Sequence, residues 1–151
     1  MEERDTEFMG IALEQARAAG NIGEVPVGSC IVDAGGSIVA TGFNRTIVDN
    51  DPTAHAEIIA LRSAAASLGN YRLIGTTIYS TIEPCVMCAG ALVNARVKRL
   101  VFGATDARYG AAGSVFNLCD TPLLNHEVEI TSGIRVEECR ELMQTFFKAR
   151  R

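Results

Sequence analysis

The sequence predicts an α/β sandwich, one sheet with helices packed on both faces. Three observations point there. Stretches rich in β-formers alternate with helical ones along the chain. The 151 residues are 48% hydrophobic and 21% charged, the make-up of one ordinary globular domain spanning 1–151. No internal repeat, low-complexity tract or Pro/Gly-rich linker divides them.

The elements follow in order. Asp5-Thr6 can cap a helix running to about Ala19, with Phe8, Ile11, Ala12, Ala16 and Ala19 on one face and Gly20 as its stop. Val25–Val32 and Ser37–Phe43 read as a hairpin turning at Ala34-Gly35-Gly36, and Pro26 predicts an irregular or edge start. Asn44–Asn50 is polar and loop-like. Asp51 as N-cap and Pro52 at the first helical position predict a helix to about Leu68, stopped by Gly69-Asn70. Thr76–Thr81 is a strand, and Glu83-Pro84 opens a helix over about Cys85–Ala95. Lys98–Phe102 is a strand, 103–113 a glycine-rich loop, Ser114–Cys119 a helical turn and Glu127–Ile130 a last short strand. In the final helix Val136, Cys139, Leu142, Met143, Phe146 and Phe147 recur at spacings of three and four.

Composition excludes several classes. The acidic start MEERDTEF has no apolar core and is not a signal peptide, and the apolar run Val86–Val93 is too short to span a bilayer. A cytoplasmic, reducing location is therefore expected, with no membrane partner. There, five cysteines favour metal binding or catalysis over a disulfide framework. The net charge of −4 argues weakly against nucleic acid, but it is uneven. Residues 1–70 hold 4 basic and 10 acidic side chains, and residues 71–151 hold 10 and 8.

Two predicted helix starts carry metal-competent side chains: His55-Ala56-Glu57, and Cys85 with Cys88. Cys85 and Cys88, three apart, share a helix face. One imidazole and two thiolates suit Zn²⁺, and three protein ligands leave the fourth position of a catalytic site to water. Glu57 is not expected to be a ligand. On a regular helix it points roughly 200° away from His55, at about 100° per residue. Both side chains can still converge beyond the N-terminal end, because Cβ bonds tilt that way. Two thiolates cancel the Zn²⁺ charge, which frees Glu57 to exchange a proton with a water that zinc has acidified towards ~7. This equipment suits hydrolytic attack on an sp² carbon with loss of an amine.

The H-x-E…P-C-x-x-C order is that of zinc nucleobase deaminases. Beyond it, EVPVG (24–28), GFNR (42–45), DPTAHAEIIALR (51–62), NYRL (70–73), EPCVMCAGAL (83–92), VFGATDARYGAAGS (101–114), LNHEVEI (124–130) and FFKARR (146–151) resemble the bacterial tRNA-specific adenosine deaminases, over nearly the whole chain. The resemblance implies a cytidine-deaminase-like three-layer α/β/α sandwich with a mixed five-stranded sheet, and a homodimer that binds a tRNA anticodon arm. It implies conversion of the wobble adenosine to inosine, with one zinc per chain and no organic cofactor. His55, Cys85 and Cys88 would bind zinc and Glu57 would be the proton shuttle. Asn44 matches the asparagine that holds the flipped nucleotide, and Val25 a wall of the base pocket. Asp106 and Arg108 match loop positions beside the anticodon strand. Phe146, Phe147 and the basic tail match the helix that flanks it. Thr46 stands where the family often has proline.

Plainer readings compete at single residues. Cys30 and Cys139 fit packing positions, and Cys119 a free thiol. Asn44 also fits a turn. His126 could cap a turn or contact RNA. One of Phe146 and Phe147 should pack inward and leave the other available. Arg96, Lys98 and Arg99 could be a solvated turn, or an RNA or dimer contact. Gly110–Gly113 also fits a flexible loop without a role. Two other whole functions fit the same residues: a deaminase of a free base or nucleotide, and a zinc-stabilised RNA-binding or scaffold module with a fourth protein ligand.

Overall fold

A computed structural model describes residues 2–150. Among them the order is α1 (Glu2–Asn21), β1 (Gly28–Val32), β2 (Ile38–Phe43), α2 (Ala56–Leu68), β3 (Thr77–Ile82), α3 (Val86–Asn94), β4 (Arg99–Ala104), β5 (Glu129–Ser132) and α4 (Val136–Lys148). The strands form one mixed sheet in the order β2-β1-β3-β4-β5. β1 is antiparallel to β2 and β3, whereas β3, β4 and β5 run parallel. The parallel connections need crossovers, which α3 and the long 105–128 segment supply.

Alternate residues of the central strands feed two cores. On one face Ile31, Ile78 and Leu100 pack against Ile58, Leu61 and Ala64 of α2 and Cys88 and Leu92 of α3. On the other, Cys30, Tyr79 and Val101 pack against Phe8, Met9 and Leu13 of α1 and Cys139 of α4. This is the predicted three-layer α/β/α sandwich. Cys30, Cys119 and Cys139 are buried free thiols, with burial pushing each pKa up to about 12.

Several boundaries differ from expectation, each for a local reason. The first helix starts at Glu2, so Asp5 lies inside it and is 3% exposed. Its carboxylate is not a cap but accepts hydrogen bonds from Arg99 (2.8 and 2.6 Å) and Tyr79 (2.8 Å). Arg99 is thus no solvated turn or contact residue. The first strand begins at Gly28, since Val25–Val27 closes a tight turn through a Val27 N–H to Val25 carbonyl bond. The second helix begins at Ala56, not at Pro52. Asp51 instead accepts the N–H and hydroxyl of Thr53, making a turn. Residues 114–119 form no helical turn; an isolated bridge pairs Ala112 with Asn117.

Two glycines define the placement of α2. Gly69 ends α2 in the left-handed region (φ 66°), as expected of its C-terminal stop. A Cβ on Gly42 would sit 2.6 Å from the Ala56 carbonyl and 2.8 Å from the Ala60 nitrogen. The first turn of α2 therefore rests directly on the β2 backbone, which fixes where His55 and Glu57 stand.

Candidate active site

His55 is the N-cap of α2 and Cys85 the N-cap of α3, both in extended conformation and neither with a side-chain capping bond. Their side chains are thus free to project beyond two helix N-termini that meet at the same end of the sheet. Cys88, in the first turn of α3, is fully buried behind Cys85. The His55 Nδ1 atom lies 3.5 Å from the Sγ of Cys85 and 3.5 Å from that of Cys88. All three donor atoms fall within 4.8 Å of one another. Tetrahedral zinc with ordinary Zn–N and Zn–S bonds sets its nitrogen and sulfur ligands about 3.6 Å apart. The donor set therefore fits zinc in both chemistry and spacing. Among the described residues no fourth His, Cys, Asp or Glu joins this cluster.

Glu57, one residue into α2 and 3% exposed, borders the same space. Burial pushes its carboxyl up to about 7, with the neighbouring Cys85 charge acting in the same direction and its own backbone amide and His55 opposing. A hydrogen bond from Cys88 is the main reason the Cys85 thiol falls to about 4, with His55 also lowering it. Bonding to Cys85, together with burial, drives Cys88 the other way. The trio shares negative charge at two positive helix ends, a setting that favours thiolate ligation.

A cavity of about 700 Å³ opens over this cluster. Val25, Val27 and Asn44 line one side, and Asp106, Arg108 and Tyr109 another. Arg140, Met143, Gln144 and Phe147 of α4 complete it. Of the ten site residues expected from sequence, Cys88 sits just behind this wall and eight stand on it. His126 does not line it, and its Nε2 bonds the Val97 carbonyl at 2.8 Å. Phe147 is 45% exposed and lines the cavity, as the available ring of the pair should. Phe146 does not pack inward as expected: it is half-buried, edge-on to Phe147 and under Arg150, because the apolar face of α4 meets the core through Val136, Cys139, Leu142 and Met143. Arg151 of the basic tail lies outside the described residues.

Two buried carboxylates hold the loops of this cavity. Glu24, 1% exposed, accepts the N–H groups of Ile47 (3.0 Å) and Val48 (2.8 Å) and the hydroxyl of Thr46 (3.3 Å). That fixes the loop after Asn44 and gives the Thr46 hydroxyl a partner. Glu83, 3% exposed, accepts the N–H groups of Asp106, Ala112 and Ser114 at 3.0 Å each, and the Ser114 hydroxyl. Burial pushes the Glu83 carboxyl up, but these four bonds outweigh it and hold the pKa below the ordinary value. The glycine-rich segment is therefore a shaped loop. Asp106 in turn accepts the N–H groups of Arg108 (3.0 Å) and Tyr109 (3.1 Å) through Oδ1.

Sequence reasoning missed Glu24, Glu83, Tyr109, Arg140 and Gln144. For α4 the signal existed: residues 140, 143, 144 and 147 recur at helical spacing. Their mixed polarity hid that stripe beside the apolar one.

Fold and donor set together define a zinc-binding deaminase, and residues 2–104 match the cytidine and deoxycytidylate deaminase zinc-binding region. The chain is 52% identical over 149 residues to a tRNA-specific adenosine deaminase of Haemophilus influenzae, covering 99% of this chain and 86% of that one. To its counterpart in Bacillus subtilis it is 40% identical over 145 residues, covering 96% and 89%. A solved structure from work on A-to-I editing by tRNA:A34 deaminases superposes with a TM-score of 0.87 at 43% identity, covering 91% of this chain and 99% of that one. A guanine deaminase of Nitrosomonas europaea follows at 0.82 and 26% identity, covering 93% and 83%. Within the zinc-binding deaminases, this chain belongs to the tRNA-specific adenosine deaminase family.

Proposed function

We propose that this protein hydrolyses the wobble adenosine of a tRNA anticodon to inosine, releasing ammonia, and that residues 1–151 act as one zinc-dependent deaminase domain. The observation that carries the chemistry is a buried glutamate beside a three-donor zinc site at the floor of an open cavity. His55, Cys85 and Cys88 hold the metal, which when bound polarises water for attack near neutral pH. Glu57 would accept one proton of the attacking water on a carboxylate oxygen and pass it to the ring nitrogen, then carry the second proton to the amine, which leaves as ammonia. Burial raises its carboxyl above the ordinary carboxylate range, the direction that suits a group which must both take up and release a proton.

Asn44 and Val25 grip the flipped base, and Asp106, Arg108 and Phe147 receive the strand beside it. An anticodon loop makes flipping cheap because its bases are unpaired. We assign His126 to the fold, since its ring is engaged with a backbone carbonyl away from the cavity. The expected location is the cytoplasm, where tRNA is modified, and no described helix is long and apolar enough to cross a membrane.

Inosine mapping on an anticodon stem-loop tests the reading. Wild type should yield inosine, and Glu57→Ala should keep about one zinc per chain by elemental analysis while losing at least ~10²-fold in rate. A Glu57→Ala variant that still deaminates normally overturns the assignment. The guanine deaminase likeness favours one specific alternative, a free-base substrate. Turnover of free guanine or adenosine without turnover of the stem-loop would establish it instead.

A further inference from the structure

We propose that Tyr109 is a stacking platform for an unpaired nucleotide next to the target adenosine; this deepens the anticodon-loop reading and rests on it. Tyr109 is 63% exposed, yet it stands on the cavity wall. At that exposure most of the ring's apolar surface is still in water, so it is available to a ligand that has a flat face of its own. Its position is also fixed. The Tyr109 N–H donates to Asp106 at 3.1 Å, and the Asp106 N–H donates to buried Glu83 at 3.0 Å. The ring therefore hangs from the end of β3 through two successive hydrogen bonds, with its backbone already ordered before any ligand arrives.

The surroundings select the ligand. The Arg108 guanidinium carbon lies 5.9 Å from the Tyr109 ring centroid, which puts a cation for a phosphate beside the aromatic face. Phe147, 45% exposed, lines the same cavity from α4. A single flat base seated at Glu57 and His55 would not fill a cavity of about 700 Å³ and would leave the outer wall uncovered. Tyr109 thus acquires a task only with a substrate longer than one nucleotide. The ligand class is single-stranded RNA, bound by the π-face and phosphate of the flanking residue. Such stacking tolerates any base, because every base has a π-face.

Steady-state kinetics on an anticodon stem-loop compare wild type, Tyr109→Phe and Tyr109→Ala, each checked for zinc content and thermal unfolding. Tyr109→Ala should raise KM by roughly 5–150-fold, the range of one lost base–aromatic stack, with kcat changed less than about twofold. Tyr109→Phe should retain the wild-type KM, since the ring and not the hydroxyl carries the contact. A stem-loop with 2-aminopurine beside the target gives a reading independent of turnover, and the chain has no tryptophan to interfere. Its fluorescence should be quenched on binding wild type and Tyr109→Phe, and less so with Tyr109→Ala. Unchanged KM and quenching in Tyr109→Ala, or Tyr109→Phe behaving as Tyr109→Ala, overturns the platform. An active wild type with an indifferent Tyr109→Ala removes this subsite alone. A wild type that makes no inosine in the stem-loop removes the anticodon reading and the subsite with it.

Discussion

A buried ion pair joins Asp5 of α1 to Arg99 of β4 at 2.6 Å, with the two side chains 4% and 11% exposed. Arg99 also donates to the Thr131 hydroxyl of β5 at 2.9 Å, so one guanidinium ties three elements. Burial alone would raise the Asp5 pKa, but the Arg99 and Tyr79 bonds outweigh it and the net shift is downward. A carboxylate of lowered pKa stabilises the fold above its unfolded value near 3.8, and that contribution is lost as pH falls through the lower folded value. Asp5→Asn leaves the Arg99 charge buried without its partner. It should cost about 3–5 kcal/mol at pH 7 by denaturant unfolding. The gap between variant and wild type should close in strong acid, where wild type protonates too. A gap that persists unchanged at pH 2 would show that Asp5 acts through packing and not charge.

At the scale of elements, two helix N-termini present the zinc donors and two carboxylates shape the loops above them. Glu83 follows β3 directly and stands two residues before Cys85, so the zinc cluster and the cavity-lining loop share one anchor. Replacing it with alanine removes the acceptor of three backbone amides. Unsatisfied buried donors cost about 1–3 kcal/mol each, so the loop should open before the fold does. Hydrogen exchange should show faster exchange at Asp106, Ala112 and Ser114 in Glu83→Ala, with α2 and β1 unchanged. Uniform loss of protection across the sheet would instead assign Glu83 to global stability.

The whole molecule has an open apolar groove between α2 and α3, lined by Ile58, Leu61, Ala65, Tyr71, Leu73 and Ala91. Tyr71 is 68% exposed there. The family resemblance implies a homodimer, and we infer that this face is the one it would cover. Sedimentation should give twice the chain mass of 16.1 kDa, and Ala91→Glu should return a single-chain species that still holds zinc. A wild type that sediments as one chain at micromolar concentration would count against it. The charge distribution sets a second expectation. Among the cavity-lining residues the arginines are Arg108 and Arg140, and the latter is paired with Glu137 at 2.7 Å. Each phosphate neutralised on single-stranded RNA contributes a slope of about −0.7 to log K against log salt. A slope no steeper than about −2 is expected for stem-loop binding. A much steeper dependence would mean that a broad basic surface dominates over base capture.

The sequence by itself determined the α/β layering, the zinc donor set and the glutamate that we propose as proton carrier. Each is a local property: hydrophobic period, ligand chemistry, and spacing at two helix starts. It misplaced the start of α2, because Asp51 and Pro52 satisfy both a cap and a turn, and only the seat of Ala56 on Gly42 decides between them. It took Asp5 for a cap and Glu83 for a helix opener, because a carboxylate's partner 94 or 23–31 residues away leaves no trace in local pattern. The walls of the cavity were decided the same way. Tyr109 and Arg140 lie far apart in the chain, and each has an unremarkable neighbourhood. They become one surface only when the sheet brings the end of β4 beside α4. Local periodicity and ligand chemistry are written in short stretches; the assembly of a pocket is a long-range event that only tertiary packing settles.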